Sequence, residues 1–428
     1  MEWTLDTLLS RHLSAGPWTA ASRIVGHAFK TKPHICPALY HPSSSASTLP
    51  NNPAKAAVVK RLLLLSQGSL VDPVLVAGLM AYEYYTPKDS AKPVLVYIEK
   101  VDTAGTWVGS FLSTTAGATA TGPPLTPTLT AAPSTPAPAP NPVRSVVYAY
   151  MDFCLAKYGL QRTVEFHVCA RPQPEYLFAN SKANPAKHVL DDRALVRWWH
   201  RTLSQAYRHQ SHKVSWHGYW YVPGLAASEA KWLLAPPTVT LAADTANRHT
   251  SATTSALSHD AENTDAVEWI YGLPADPKLL ACEAIPQFPD DPRTRLLAKP
   301  GADQYTVHEF HDMLAIGEEC GAGRRTGFFV IKATPPESSF GGKRFFAQDL
   351  RWCTVSSKGW EAMLVQLFHT SMDFATVASA QRSSRRFFQW MKRKFGLEPL
   401  HLALAADVPT SSPLLKATPA KRKRGDGP

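Results

Sequence analysis

The 428-residue sequence predicts an α/β fold in which a mixed central β-sheet is surrounded by helices in a single domain. Three observations predict it. Segments of strand character and segments of helical spacing interleave along the chain. They do so without a regular β-α-β period or an internal repeat, which argues against a doubly wound parallel sheet. Hydrophobic residues make up 44% of the sequence, enough to fill a sizeable core.

Taken in order, the runs from Val74 to Tyr85 and from Val94 to Val101 are rich in β-branched and aromatic residues and read as a strand hairpin. Ser145 to Tyr158 is apolar at helical spacing, with Gly159 placed as its C-cap. Thr163 to Ala170 alternates, with Val164, Phe166 and Val168 on one face and Glu165, His167 and Cys169 on the other, so it reads as a strand. Asp191 or Asp192 caps a helix whose Leu195, Trp198, Trp199, Leu203 and Ala206 form one stripe. Thr306 and Glu309 make a capping box for a helix ending near Gly321. Phe328 to Lys332 reads as a short strand and Trp360 to Phe374 as a helix.

Three stretches lack periodicity and are rich in Pro, Thr, Ala and Ser: Pro42 to Pro53, Gly109 to Pro142 and Pro236 to Thr264. They read as disordered insertions in a domain covering residues 1–405, followed by a disordered basic tail over 406–428. The tail ends in Lys421-Arg422-Lys423-Arg424, which reads either as a nuclear import signal or as a solvated charged end.

Lys and Arg outnumber Asp and Glu by 45 to 34, a net charge of +11, so an anionic partner is expected: a nucleic acid, a polyphosphate cofactor or an acidic protein. Met1 to Asp6 carry no basic start leading into an apolar stretch, and no apolar run approaches the roughly 20 residues that span a bilayer, so neither secretion nor membrane insertion is expected. The six cysteines (Cys36, Cys154, Cys169, Cys282, Cys320, Cys353) form no C-x-x-C pair and read as reduced thiols. The close histidine pairs, His209 with His212 and His308 with His311, have no third ligand in view, so no metal is expected. RNP, zinc-finger and G-x-x-x-x-G-K-[ST] patterns are absent.

Three constellations have chemical potential. Phe288-Pro289-Asp290-Asp291-Pro292 is locked by proline on both sides, which should hold the aspartates extended with their side chains opposed, one of them able to face a cleft. An ordinary surface turn with solvated acids fits the same residues. Arg171-Pro172-Gln173-Pro174-Glu175-Tyr176-Leu177-Phe178, with Lys187-His188-Val189-Leu190, precedes the helix bearing Trp198-Trp199. Adjacent helical residues lie about 100° apart, so one indole is available for a ligand wall unless both pack in the core. Val101-Asp102-Thr103 closes the second strand of the hairpin, and Asp102-Thr103-Ala104-Gly105 fits an ordinary turn.

These blocks, in this order and spacing, resemble the fungal histone H3 acetyltransferases that work with histone chaperones. The close match runs over about Thr163 to Leu203 and Ile285 to Leu296. That family is similar in fold to the metazoan CBP-type coactivator acetyltransferases. The resemblance implies transfer of acetyl from acetyl-coenzyme A to core-helix and N-terminal-tail lysines of histone H3, presented as H3–H4 with acidic histone chaperones. It places this chemistry in the nucleus, in replication-coupled chromatin assembly and genome stability, without a metal. It also implies that Val101, Asp102, Thr103, Cys169, Gln173, His188, Val189, Leu190 and Trp198 line the acetyl-coenzyme A site. Asp291 then matches the catalytic carboxylate with Asp290 beside it, and Trp199, Tyr176 and Asp102 line the path of the substrate lysine.

Arg144, at the start of a helix, is a further candidate for the coenzyme phosphates. Cys169 stands where an aromatic cofactor contact is expected. Arg293 stands where the family can carry a lysine that becomes acetylated; a buried arginine there would need a partner, with Asp290 and Asp102 as the expected ones. The basic stretch Arg382, Arg385, Arg386, Lys392, Arg393 and Lys394 is a candidate docking face for an acidic chaperone. A non-catalytic chromatin module that binds DNA or a chaperone through the same basic helix is the alternative reading.

Overall fold

A computed structural model describes residues 4–14, 24–37, 39–40, 56–68, 73–87, 89, 91–106, 142–159, 161–206, 214–235, 267–317, 320, 324–336 and 352–396. The expected insertions, apart from Pro142, lie outside the described residues, as do the C-terminal tail and its basic block. So do His209, His212 and the expected helix end at Gly321.

Long apolar runs make the sheet. Its strands are β1 (Ile24–Thr31), β2 (His34–Cys36), β3 (Ala56–Gly68), β4 (Pro73–Tyr85), β5 (Val94–Thr103), β6 (Val164–Ala170), β7 (Ser215–Tyr221), β8 (Glu268–Tyr271), β9 (Gly327–Thr334) and β10 (Cys353–Val355). They lie in the order β10-β1-β3-β4-β5-β6-β9-β7-β8, with β2 paired to β3. The pairs β1–β10, β5–β6 and β7–β8 are parallel and the others antiparallel, so the sheet is mixed.

Helices cover both faces. On one side lie α1 (Leu5–Ser14), α2 (Pro142–Cys154) and α3 (Asp192–Ala206), packed on Val94, Val96, Ile98, Val164, Phe166 and Val168. Further along are α4 (Ala227–Leu234), α5 (Ala281–Ala284), α6 (Pro292–Leu297) and α7 (Val307–Ile316). The other face is covered by α8 (Ser357–Leu367) and α9 (Val377–Phe395), whose Trp360, Met363, Phe387 and Met391 pack with Phe29, Leu62, Leu64 and Met80.

The hairpin, the alternating β6, the Asp191 cap of α3 (Asp191 Oδ1 accepts from Ala194 N at 2.6 Å) and the Thr306–Glu309 capping box stand as expected. Three ends differ. Helix α8 stops at Leu367, short of the apolar residues that follow it, and α7 stops at Ile316 with Gly317 as its C-cap. Gly159 closes a π-helical turn, Leu155–Gly159, in place of a left-handed cap.

That wider turn carries Lys157 and Tyr158 onto Glu83 of β4. The Glu83 carboxylate is fully buried and accepts from Arg61 Nε (2.8 Å) and Nη2 (2.9 Å), Tyr150 Oη (3.2 Å), Tyr158 Oη (2.8 Å) and Lys157 Nζ (3.1 Å). A buried carboxylate is tolerated only when its lone pairs are taken up in this way. The network ties α2 to the centre of the sheet and so fixes one wall of the site below.

Candidate functional site

A cavity of about 500 Å³ opens where β5, the start of α2, the loop after β6 and the indole face of α3 meet. Its floor begins with a break in strand alternation. Val94, Val96, Ile98 and Val101 pack with one core while Leu95 and Tyr97 pack with another, so the phase slips between Ile98 and Val101. The register shows why. Ala81 pairs with Ile98 and Met80 with Lys100, leaving Glu99 as the extra residue of a β-bulge.

Asp102 follows on the buried side, 5% exposed. Its Oδ2 accepts from the backbone N–H of Tyr176 (2.9 Å), Leu177 (2.9 Å) and Phe178 (3.3 Å), and its Oδ1 from Thr103 N (2.8 Å) and Lys187 Nζ (2.8 Å). One carboxylate thus anchors both segments of the loop that forms the cavity wall. Lys187 Nζ also donates to Ser181 Oγ at 2.7 Å, and Asn184 Nδ2 to Ala104 O at 3.0 Å. Gly105 has φ +73°, and a Cβ there would lie 2.9 Å from Lys187 N, so the close approach of this loop requires glycine.

The indoles of Trp198 and Trp199 stand 4.9 Å apart at 84°, edge to face, as their helical offset demands. Both line the cavity. Trp199 is 6% exposed and also belongs to the core; Trp198 is half-buried, with the Arg144 guanidinium 5.9 Å from its ring. Arg144 is the one residue of α2 that is not buried, yet its Nε is shielded from solvent and has no hydrogen-bond partner among the described residues. His188 and Val189 form the exposed rim. Tyr176 donates its hydroxyl to Arg171 O and accepts from Gln173 N at 3.2 Å, closing the proline-rich turn on itself.

Every residue expected at the cofactor (Val101, Asp102, Thr103, Arg144, Cys169, Gln173, His188, Val189, Leu190 and Trp198) therefore lines one cavity, together with Trp199 and Tyr176. Asp290 and Asp291 do not line it. The two do point apart, but Asp290 is left-handed (φ +52°) where extended backbone was expected, and only Asp291 is extended. The Asp290 carboxylate, 43% exposed, faces Lys100 Nζ (3.4 Å), Arg171 Nη2 (3.4 Å) and Arg295 Nη1 (3.2 Å). Burial would raise its pKa, but Lys100 and Arg171 hold it below the usual carboxylate range.

Asp291 is fully buried. It caps α6 by accepting from Arg293 N at 2.8 Å, and its Oδ2 lies 2.6 Å from Arg293 Nη2 and 3.1 Å from Nε. The expected partners of Arg293, Asp290 and Asp102, are thus replaced by Asp291, which α6 brings two residues before it. Burial disfavours charge on Arg293, but Asp291 more than offsets this, and Phe328 covers the guanidinium at 4.6 Å. Phe288 locks the loop from the other side, stacked on Tyr97 at 4.5 Å.

Glu99 and Lys187 are site residues to which the sequence motifs assigned no role. The slip from Ile98 to Val101 across Glu99-Lys100 is the signal for the first. Nothing local marks Lys187, whose place depends on a residue 85 positions away. The basic residues of α9 lie along a helix whose opposite side, Ala380, Ser383, Ser384, Phe387 and Met391, is buried. No group of three or more His, Cys, Asp or Glu that would hold a metal ion occurs among the described residues.

The family model described as "Histone acetyltransferase KAT11-type domain" matches residues 141–393. A protein of Aspergillus flavus named histone acetyltransferase rtt109 is 28% identical over 239 residues, covering 47% of this chain and 39% of that protein. Its namesake from Schizosaccharomyces pombe is 25% identical over 243 residues, 54% of this chain and 57% of the relative. The matched region thus spans about half the length of these relatives. The crystal structure of Rtt109 from Aspergillus fumigatus superposes with a TM-score of 0.64 at 20% identity, covering 92% of this chain and 97% of that one, a likeness of fold.

Proposed function

Because this chain belongs to the KAT11-type histone acetyltransferase domain family, we propose that it transfers acetyl from acetyl-coenzyme A to lysine side chains of histone H3. One observation carries the reading: the cofactor residues implied by the resemblance, drawn from four separate segments, meet in a single cavity with a perpendicular tryptophan pair at its wall.

The residues present fit acetyl-coenzyme A. Val101, Leu190, Leu195 and Trp198 offer apolar walls, and Arg144, with its unpartnered Nε at the first turn of a helix, offers a cation and a dipole to a phosphate. The acetyl thioester is supplied by the bound co-substrate. The chain holds it against the indoles, excludes water and positions the lysine, whose ammonium must lose a proton before the nitrogen attacks. In this reading Asp102 and Lys187 hold the wall closed, Trp199 and Tyr176 line the lysine path, and the Asp291–Arg293 pair fixes the loop that presents Asp290. The reaction needs no metal.

The proposed substrate is H3–H4, with core-helix and tail lysines of H3 as acceptors, in the nucleus and in replication-coupled chromatin assembly. A net charge of +11 opposes direct encounter with a basic histone, so an acidic chaperone docked on Arg382, Arg385, Arg386, Lys392, Arg393 and Lys394 is the proposed carrier. The test is incubation with acetyl-coenzyme A, H3–H4 and a chaperone, followed by mass spectrometry of H3. Acetylated H3 lysines are expected. Chaperone or DNA binding without any acetylation would support a non-catalytic module instead.

A further inference from the structure

We propose that the Glu99 carboxylate is the proton acceptor of this site, taking the proton of the substrate lysine at its Oε2 atom; the inference rests on the acetyltransferase reading above. Five carboxylates stand at or beside the cavity and its bounding loops. Glu175, on the loop after β6, also has a buried oxygen without a hydrogen-bond partner among the described residues, but it accepts from Asn180 N at 2.8 Å and does not line the cavity. Asp102 is committed to Lys187 and to four backbone N–H groups. Asp291 is committed to Arg293 and lies outside the cavity. Asp290 is half in solvent and faces three cations. Asp102 and Asp291 thus have both oxygens taken up by these donors, and Asp290 is open to solvent.

Glu99 shares Lys100 with Asp290 but differs in its place and in one free oxygen. It lines the cavity, its side chain is 6% exposed, and its Oε2 is buried with no hydrogen-bond partner among the described residues. The other oxygen, Oε1, accepts from Lys100 Nζ at 2.5 Å, which orients the group. The β-bulge is what places Glu99 there: the extra residue turns the side chain out of the strand's alternation and beside its neighbour Lys100. An unpaired buried acceptor costs stability, and its persistence in a cavity points to a donor that arrives with the substrate.

The chemistry balances. The lysine ammonium gives one proton to Glu99 Oε2. The neutral nitrogen attacks the thioester carbonyl, the C–N bond forms as the C–S bond breaks, and the thiolate leaves with the second nitrogen proton. Glu99 then returns its proton to solvent. Tyr82, Tyr84, Tyr97, Lys100 and Asp290 are the titratable groups that face or act on Glu99. Burial raises the carboxyl above the usual value, Lys100 and, less strongly, the nearby Tyr82 hydroxyl oppose this, and the outcome is a stronger base than a solvated glutamate.

The experiment compares the full chain with Glu99→Gln and Glu99→Asp by steady-state kinetics against pH, with acetyl-coenzyme A affinity measured calorimetrically. Glu99→Gln should lower kcat by a hundredfold or more and leave cofactor affinity unchanged. Its residual rate should climb about tenfold per pH unit toward the lysine pKa near 10.4, because only free amine then reacts. Glu99→Asp should recover part of the rate and the parent's flatter profile. Equal activity and an unchanged pH profile in Glu99→Gln, with the parent active, would overturn the assignment. An inactive parent would instead overturn the acetyltransferase reading itself.

Discussion

Arg293 and Asp291 form a closed pair two residues apart in the chain, 2.6 Å between Nη2 and Oδ2, with the two side chains 3% and 0% exposed. The pair joins the α6 cap to the ring of Phe328, so an arginine holds the Phe288–Pro292 loop. Removing one partner strands the other charge in the interior. Arg293→Ala should therefore destabilise the protein by about 3–5 kcal/mol, and Asp291→Asn by less, since the amide still accepts from Arg293 N. Denaturant unfolding of the two variants measures this. A loss below 1 kcal/mol in Arg293→Ala would show that the pair does not hold the loop. No acetyl group on residues 288–299 is expected in active protein, which peptide mass spectrometry checks.

The Asp102–Lys187 contact makes a separate prediction, because it closes the cavity wall without touching the lysine path through Lys187. Lys187→Met should leave the fold intact but free the segment 184–190, weakening acetyl-coenzyme A binding by about tenfold, in line with the roughly 1.5 kcal/mol of one hydrogen bond to a charged group. Isothermal titration reads the change. Unaltered affinity would show that Asn184 and Gly105 are sufficient to hold the wall.

Much of this site was legible in the sequence, and the limits have physical causes. Local signals sufficed for β6, for the Asp191 cap of α3 and for the indole pair, since each depends on periodicity or on neighbours within one turn. The resemblance picked out residues that line one cavity because rare blocks kept their order. The partner of Arg293 was missed although it lies two residues away, because the pairing depends on Asp291 turning inward as an N-cap. The Lys187–Asp102 contact joins residues 85 apart, and no local pattern encodes such a distance. The end of α8 was overrun because apolar residues continue past the helix and pack from irregular backbone, as Met372 and Phe374 do.

The tryptophans should separate by role. Trp199 serves both core and cavity, so Trp199→Ala is expected to cost about 3–5 kcal/mol and confuse the two. Trp199→Phe keeps most of the packing. It should lower turnover several-fold with acetyl-coenzyme A affinity retained, whereas Trp198→Ala should weaken that affinity about tenfold and spare the fold. The opposite split in kcat and Kd would exchange the two assignments.

Two partly buried histidines, with the buried His167, contribute to the response to acid. His200 lies 4.6 Å from the Trp269 ring and 5.6 Å from Trp220, and burial with Arg201 nearby lowers its pKa from 6.5 to about 4. His311, stacked on Tyr221 at 4.6 Å, is lowered to about 4 by burial and by Arg293. In the unfolded chain both protonate near pH 6.5. Between that pH and about 4 the unfolded state binds more protons than the folded one, so stability rises with pH across this window. The contribution is complete above pH 6.5 and lost as pH falls toward 4, up to about 3 kcal/mol for each histidine. Thermal melting at pH 7.5, 6.0 and 5.0 should show a steady fall that is shallower in His200→Phe, since phenylalanine keeps the ring contacts and takes up no proton. An equal slope in parent and variant would mean that the acid response arises elsewhere.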